Sequence, residues 1–306
     1  MPHSPTNSRI VECDEAAFPI VAGWAAMTPY PKIDAIVETY LSLADAEAPG
    51  LVEGLYLEGS AALGDYRPGT SDVDFVAVTA AAPPYEVLER IHTRLGAYPF
   101  EGCYLTWDDL RRGPSELGAR PRAHDGKLDP RGDLNPVTWH TLARHGLTCR
   151  GPKPDELDIW HDPAALAAWT DANLDHYWRR LVTRASHLFT PAGLLCLGGY
   201  GAVWVVTGVS RLHYTLATGE ITSKAGAGRY ALEAFPERWH RVVKEALRLR
   251  EEDSALPTIV SAVSGLGDHF GTPRTSLYGS PFERRTDVLA FADQAITAAH
   301  KLYAAR

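Results

Sequence analysis

The stretch that most restricts this chain lies between residues 55 and 78. An apolar run, Leu55-Tyr56-Leu57, arrives at Glu58-Gly59-Ser60, and a turn punctuated by Gly64, Pro68 and Gly69 follows. A second apolar run then carries Asp72 and Asp74 at alternate positions, directly after Ser71. Alternate residues of a strand share a face, so the two carboxylates point the same way, about 7 Å apart. Carboxylates so placed repel each other, and a cation between them removes the repulsion. Paired hard oxygen ligands suit Mg²⁺, which binds through one or two carboxylates and completes its shell with water and substrate phosphates. The Gly59-Ser60 turn opens a helix whose first N–H groups lack partners and therefore suit phosphate oxygens.

These residues resemble the signature of the nucleotidyltransferase superfamily: Gly-Ser, a spacer, then Asp-x-Asp. An Asp-x-Asp alone reads equally well as a strand edge with two solvated acids. The Gly59-Ser60 turn one strand upstream is what favours the functional reading.

The 306 residues are enough for two domains, and 45% hydrophobic with 22% charged residues is normal for a globular protein. A net charge of −8 argues against a general nucleic-acid binder, which presents a basic surface to phosphates. Cys13, Cys103, Cys149 and Cys196 are scattered without Cys-x-x-Cys spacing, as free thiols of a reducing compartment would be. Neither the polar N-terminus nor any later run has the apolar length of a signal peptide or membrane span, so the expectation is a soluble, cytoplasmic protein.

In chain order, residues 1–15 read as an irregular tail. Ile33, Ile36, Val37, Tyr40 and Leu41 recur at helical spacing. Strands are expected at residues 52–57 and 72–78, with a helix from Pro83-Pro84 carrying Val87, Leu88, Ile91 and Leu95 inward. The strand-like run Phe100–Thr106 brings a third acid, Glu101, one helix after the aspartate pair. Residues 110–133, rich in Arg, Gly and Pro, read as a long functional loop. A helix from Asn135 follows, and the break Gly151-Pro152-Lys153-Pro154 marks the domain boundary. Beyond it the pattern is helical throughout. One helix is expected over 163–189 with Tyr177 in its core, a second over 191–218 that is apolar nearly all round, and a last one over 284–303.

The second half resembles the C-terminal domain of the streptomycin/spectinomycin adenylyltransferases, in Arg211, Tyr214, Thr218-Gly219, Lys224, Ala231-Leu232, Pro236 and Glu245-Ala246. The resemblance implies an α+β chain: a nucleotidyltransferase-fold mixed sheet with flanking helices over 1–153, and an all-α bundle over 154–306. It also implies ATP as co-substrate, two Mg²⁺ ions on Asp72 and Asp74, Glu101 as general base, and nucleotide contacts from Gly59, Ser60, Ser71, Arg211 and Lys224. The reaction implied is transfer of AMP to a hydroxyl of a small molecule, an aminoglycoside of the antibiotic-resistance class, with release of pyrophosphate. No nucleic acid or membrane partner is implied.

The chain departs from the family at residues 111–133, which do not align, and before Arg211. There the family's acidic substrate contacts are replaced by Gly198-Gly199-Tyr200-Gly201-Ala202, glycines that leave room rather than charge. A family tyrosine near ATP falls at Arg248 or Arg250. Two alternatives stand beside the drug: a nucleotidyltransferase with an unrelated small-molecule or protein hydroxyl, and a non-catalytic nucleotide sensor. Retention of all three acids argues against the sensor.

Overall fold

The structure is a computed structural model and describes residues 27–96, 98–252 and 276–306. The expected irregular tail lies outside the described residues.

Helix α1 (Pro31–Glu47) starts at a proline, whose missing N–H costs nothing in a first turn. Its Ile33, Ile36, Val37, Tyr40, Leu41 and Ala44 are all buried, as their three- and four-residue spacing requires. Strand β1 (Gly54–Leu57) leads into α2 (Gly59–Ala62), a single turn of helix. Strand β2 (Val73–Thr79), α3 (Tyr85–Leu95) and β3 (Phe100–Thr106) follow, then the short α4 (Trp107–Leu110). Helix α4 is closed by a capping box between Thr106 and Asp109.

The segment expected as a loop is instead a hairpin, β4 (Arg120–His124) and β5 (Lys127–Gly132). Its turn is Asp125-Gly126, both residues at positive φ (49° and 67°), the conformation that an Asp-Gly pair tolerates in a two-residue hairpin. Helix α5 (Pro136–His145), capped by Asn135, and strand β6 (Leu147–Arg150) complete the sheet half.

The sheet runs β5-β4-β3-β2-β1-β6; β2 and β3 are parallel and every other neighbouring pair is antiparallel. This is the mixed sheet expected. One of its faces packs on α1 and α3 through Phe75, Tyr104, Leu88 and Ile91. On that face the Tyr40 hydroxyl donates to Tyr104 Oη (2.9 Å), and His92 Nε2 lies 2.9 Å from the same oxygen. The other face, Tyr56, Val76, Val78, Cys103 and Leu105, is covered by Trp139 and Leu142 of α5.

The remaining described elements are helical. Helix α6 (Pro163–Asn173) runs through a π turn (Leu174–Arg179) into α7 (Arg180–Ser186). The helix expected over 191–218 is broken: α8 (Pro191–Leu195) stops, and α9 (Gly199–Thr218) begins after Gly198. A Cβ on Gly201 would meet Leu195 O at 2.2 Å, so that glycine lets α9 pass close beside α8 rather than leaving an open pocket. Tyr177, expected in the core, is 43% exposed, and so is Leu194 of the run expected to be apolar nearly all round.

Helices α10 (Lys224–Ala234), α11 (His240–Glu252) and α12 (Pro281–Ala304) pack around α9. Their shared core joins Val205, Val206, Val209, Val243, Phe291 and Ile296. Glu245 of α11 is fully buried and accepts from Arg248, Ser276, Leu277 N–H and Arg284. Those bonds outweigh burial and hold its carboxyl down at about 2. No helix among the described residues is long and apolar enough to cross a membrane.

Candidate active site

Because β1 and β2 are antiparallel while β2 and β3 are parallel, the end of β1 and the starts of β2 and β3 share one sheet edge. Register then does the rest. Asp74 pairs with Glu101, and both lie on the α5 face, with Val76 and Val78 further along one strand and Cys103 and Leu105 along the other. Asp72 precedes β2 by one residue and shares the orientation of Asp74. The Glu58 N–H donates to Asp74 O at 2.9 Å, so the turn after β1 is tied to the second aspartate. Gly59 then reverses the chain at φ 58°. The Ser60 hydroxyl is buried in the cleft wall with no hydrogen-bond partner. Ser71 Oγ accepts the Arg67 N–H (3.1 Å), closing the turn that delivers Asp72.

The helical half supplies the facing wall. Arg211 on α9 is fixed through Nε to Thr222 O (3.2 Å). Ser223 caps α10 by accepting the Gly226 N–H, which puts Lys224 at the first helical position. Arg250 of α11 reaches the same cleft. A cleft of about 290 Å³ is lined by Gly59, Ser60, Ser71, Asp72, Asp74, Arg211 and Lys224, all expected from the sequence. Glu101 stands one strand further, behind the aspartates, and its Oε1 accepts the Asp125 N–H at 2.9 Å.

The electrostatics follow from this crowding. Burial first, then Asp72 and Glu101, push Asp74 up to about 6, while Arg211 and Lys224 pull it down. Asp72 is likewise pushed up to about 6 by the surrounding protein and by Glu101, although its side chain stays open to water at the cleft mouth. Desolvation, then repulsion from Arg211 and Arg250, lowers Lys224. The aspartates and the cations opposite therefore only partly compensate one another across the cleft. Such a cleft is arranged for an anionic ligand that brings a cation with it.

Several lining residues were not expected: Glu58, Asp65, Arg122, Asn135, Thr138 and Thr141; of the two arginines at the position of the family tyrosine, Arg250 lines the cleft. Glu58 Oε1 accepts from the Thr138 hydroxyl at 3.3 Å, and burial, with Asp74 second, pushes its carboxyl up to about 8. Its signal was its place directly before Gly59. The hairpin residue Arg122 could be found only by recognising Asp125-Gly126 as a turn. Among the described residues no three His, Cys, Asp or Glu side chains are grouped closely enough to hold a metal ion by themselves.

Residues 198–261 match the family model for the C-terminal domain of aminoglycoside adenylyltransferases. The whole fold is similar to that of spectinomycin adenyltransferase AAD(9) from Enterococcus faecialis, solved with ATP and spectinomycin. The TM-score is 0.53 at 14% identity, over 87% of this chain and 98% of that one. No curated protein matches the sequence. The chain thus shares the overall fold of that adenyltransferase, and residues 198–261 resemble the C-terminal domain of the aminoglycoside adenylyltransferases.

Proposed function

We propose that this protein transfers AMP from ATP to a hydroxyl of a small molecule, an aminoglycoside-type compound of the streptomycin/spectinomycin class, and releases pyrophosphate. One observation carries the reading: Asp72, Asp74 and Glu101 are gathered at one sheet edge, and the two aspartates face Arg211 and Lys224 across a single cleft. The family match over residues 198–261 and the ATP-bound structural relative support it.

Mg²⁺ fits the residues present. Asp72 and Asp74 offer two hard oxygen donors whose mutual repulsion a cation would relieve, and two carboxylates plus substrate phosphates and water make an ordinary Mg²⁺ shell. Bound there, Mg²⁺ would polarise the α-phosphate and stabilise charge on the attacking and leaving oxygens. The unpartnered Ser60 hydroxyl would donate to a phosphate oxygen. Glu101, with Oε1 engaged by Asp125 N–H, would take the proton of the acceptor hydroxyl on its other oxygen. That hydroxyl oxygen would bond to the α-phosphorus as the bond to the bridging oxygen breaks. Arg211 and Lys224 would meet the charge gathering on pyrophosphate. A base of this kind contributes ~10²–10⁴ in rate.

The two-domain division at residues 153/154 fits the separate sheet and bundle cores, except that Leu157, Ile159 and Trp160 still pack against the sheet side. Dependence on ATP favours the cytoplasm, and the net charge of −8 disfavours nucleic acid as acceptor. For the acceptor itself, the start of α9 offers Tyr200, whose hydroxyl is raised by burial and then by Asp72 and Asp125, so it overlooks the acids. An aromatic residue in place of acidic contacts favours, as second reading, a less cationic acceptor than a typical aminoglycoside. The test is pyrophosphate release from Mg-ATP with streptomycin and spectinomycin, the expected result being release that depends on drug and metal. No release with either drug, in protein that binds ATP, removes the aminoglycoside acceptor.

A further inference from the structure

Arg250 is only 5% exposed and forms an ion pair with Asp65, itself 10% exposed. Its Nη2 donates to Asp65 Oδ2 (2.8 Å) and to Asp65 O (3.1 Å), while its Nε is buried with no partner. The same Asp65 Oδ2 accepts the Ala225 N–H (3.1 Å), one residue after Lys224. Arg67 Nη1 donates to Arg250 O at 3.0 Å, so the loop before Asp72 holds both the side chain and the carbonyl of Arg250. Buried ion pairs add little net stability, because desolvating both charges offsets their attraction. An unpartnered guanidinium N–H makes the arrangement costlier still. A pair retained on those terms, on the wall of a ligand cleft, serves what binds there.

We propose that Arg250 is a third phosphate-gripping cation of the cleft, and that Asp65 is its positioning residue, holding Arg250 and the start of α10 so that Arg211, Lys224 and Arg250 converge on a polyphosphate. The proposal rests on reading the cleft as an ATP site. Asp65 neutralises only one of the three cations, and the guanidinium's fork of donors matches phosphate oxygens. The repulsion that Arg211 and Arg250 exert on Lys224 supports the convergence. Ser60 and Arg250 both line the cleft, and each carries a buried donor, the Ser60 hydroxyl and Arg250 Nε, without a partner.

The test compares binding of ATP, AMP and inorganic pyrophosphate, each with Mg²⁺, to wild type and variants by calorimetry. Arg250→Gln should weaken ATP and pyrophosphate about tenfold or more, the worth of a charged hydrogen bond, with AMP affinity within twofold. Asp65→Ala should lower the preference for ATP over AMP, and Asp65→Asn, which keeps an accepting oxygen, should restore most of it. Should Arg250→Gln not fold, Arg250→Lys, which keeps the charge without the fork, should still lower that preference. Wild-type affinities for ATP and pyrophosphate in a folded Arg250 variant, with only the melting temperature reduced, would reduce Arg250 to a structural latch and overturn the proposal. A wild type that binds pyrophosphate through Arg250 yet transfers no AMP leaves this inference standing and removes the proposed activity. A wild type that binds neither ATP nor pyrophosphate removes both.

Discussion

A Cβ added to Gly59 would lie 1.9 Å from Asp74 Oδ2. The turn after β1 is therefore in contact with the carboxylate it faces, and only a residue without a side chain fits between them. Gly59→Ala meets both that clash and the strain of φ 58°, which costs an L-residue roughly 1–2 kcal/mol. The expected outcome is a folded protein, melting a few degrees lower, whose turnover falls at least ~100-fold because Asp74 is displaced. Circular dichroism and the pyrophosphate assay together check it.

Asp72→Asn and Asp74→Asn should each abolish turnover while the fold persists. Their effect on stability has a definite sign. Both folded-state values, about 6, lie above the ordinary 3.8, so the unfolded chain gives up its protons first. Without metal, stability falls between about pH 4 and pH 6 and stays low above that. Metal-free Asp74→Asn should therefore melt higher than wild type at pH 7, and Mg²⁺ should stabilise wild type only. Scanning calorimetry with and without Mg²⁺ decides it.

Glu101→Gln keeps size and polarity and removes the proton acceptor. The expected result is a fall in kcat of ~10²–10⁴ with ATP affinity largely retained. Calorimetric ATP binding beside single-turnover rates separates the two; loss of binding at unchanged rate would make Glu101 a ligand-positioning group.

Lys224→Ala should weaken ATP binding roughly tenfold, the worth of one charge-assisted contact. Because Lys224 projects from the first turn of α10 into the cleft, the melting temperature should barely change. An ATP affinity equal to wild type would remove Lys224 from the site.

Glu58 gives a pH signature of its own. Its folded value of about 8 against an ordinary 4.5 means that it costs stability progressively as pH rises between those values. Glu58→Gln should flatten that decline and be more stable than wild type at pH 8 by about 1 kcal/mol or more. Urea denaturation at pH 5 and pH 8 measures it.

The sheet edge was legible because local rules govern it: strand alternation aligns Asp72 with Asp74, and one intervening helix makes β3 the parallel neighbour that sets Glu101 beside Asp74. The hairpin was not, because Arg120-Pro121-Arg122 and Asp129-Pro130-Arg131 lack the alternating apolar pattern of a strand, leaving Asp125-Gly126 as the one positive signal. The break between α8 and α9 lay hidden in a largely apolar run, marked only by Gly198-Gly199, and Gly201 lets α9 pass close to the end of α8. Asp65 and Arg250 are 185 positions apart, and no local pattern joins them.

The two halves of the molecule touch through Asp65, Arg67 and Arg250 on one side and through Glu220 with His140 and Arg144 on the other. Among the described residues, no buried apolar cluster spans both halves, apart from the connecting residues Leu157, Ile159 and Trp160, which lie against the sheet-side cluster. Beyond that connection, parting the halves would trade mainly ion pairs for hydration, and each half would keep its own core. Dissolved salt, which screens such contacts over about 10 Å, then becomes a dial on how readily the jaws open.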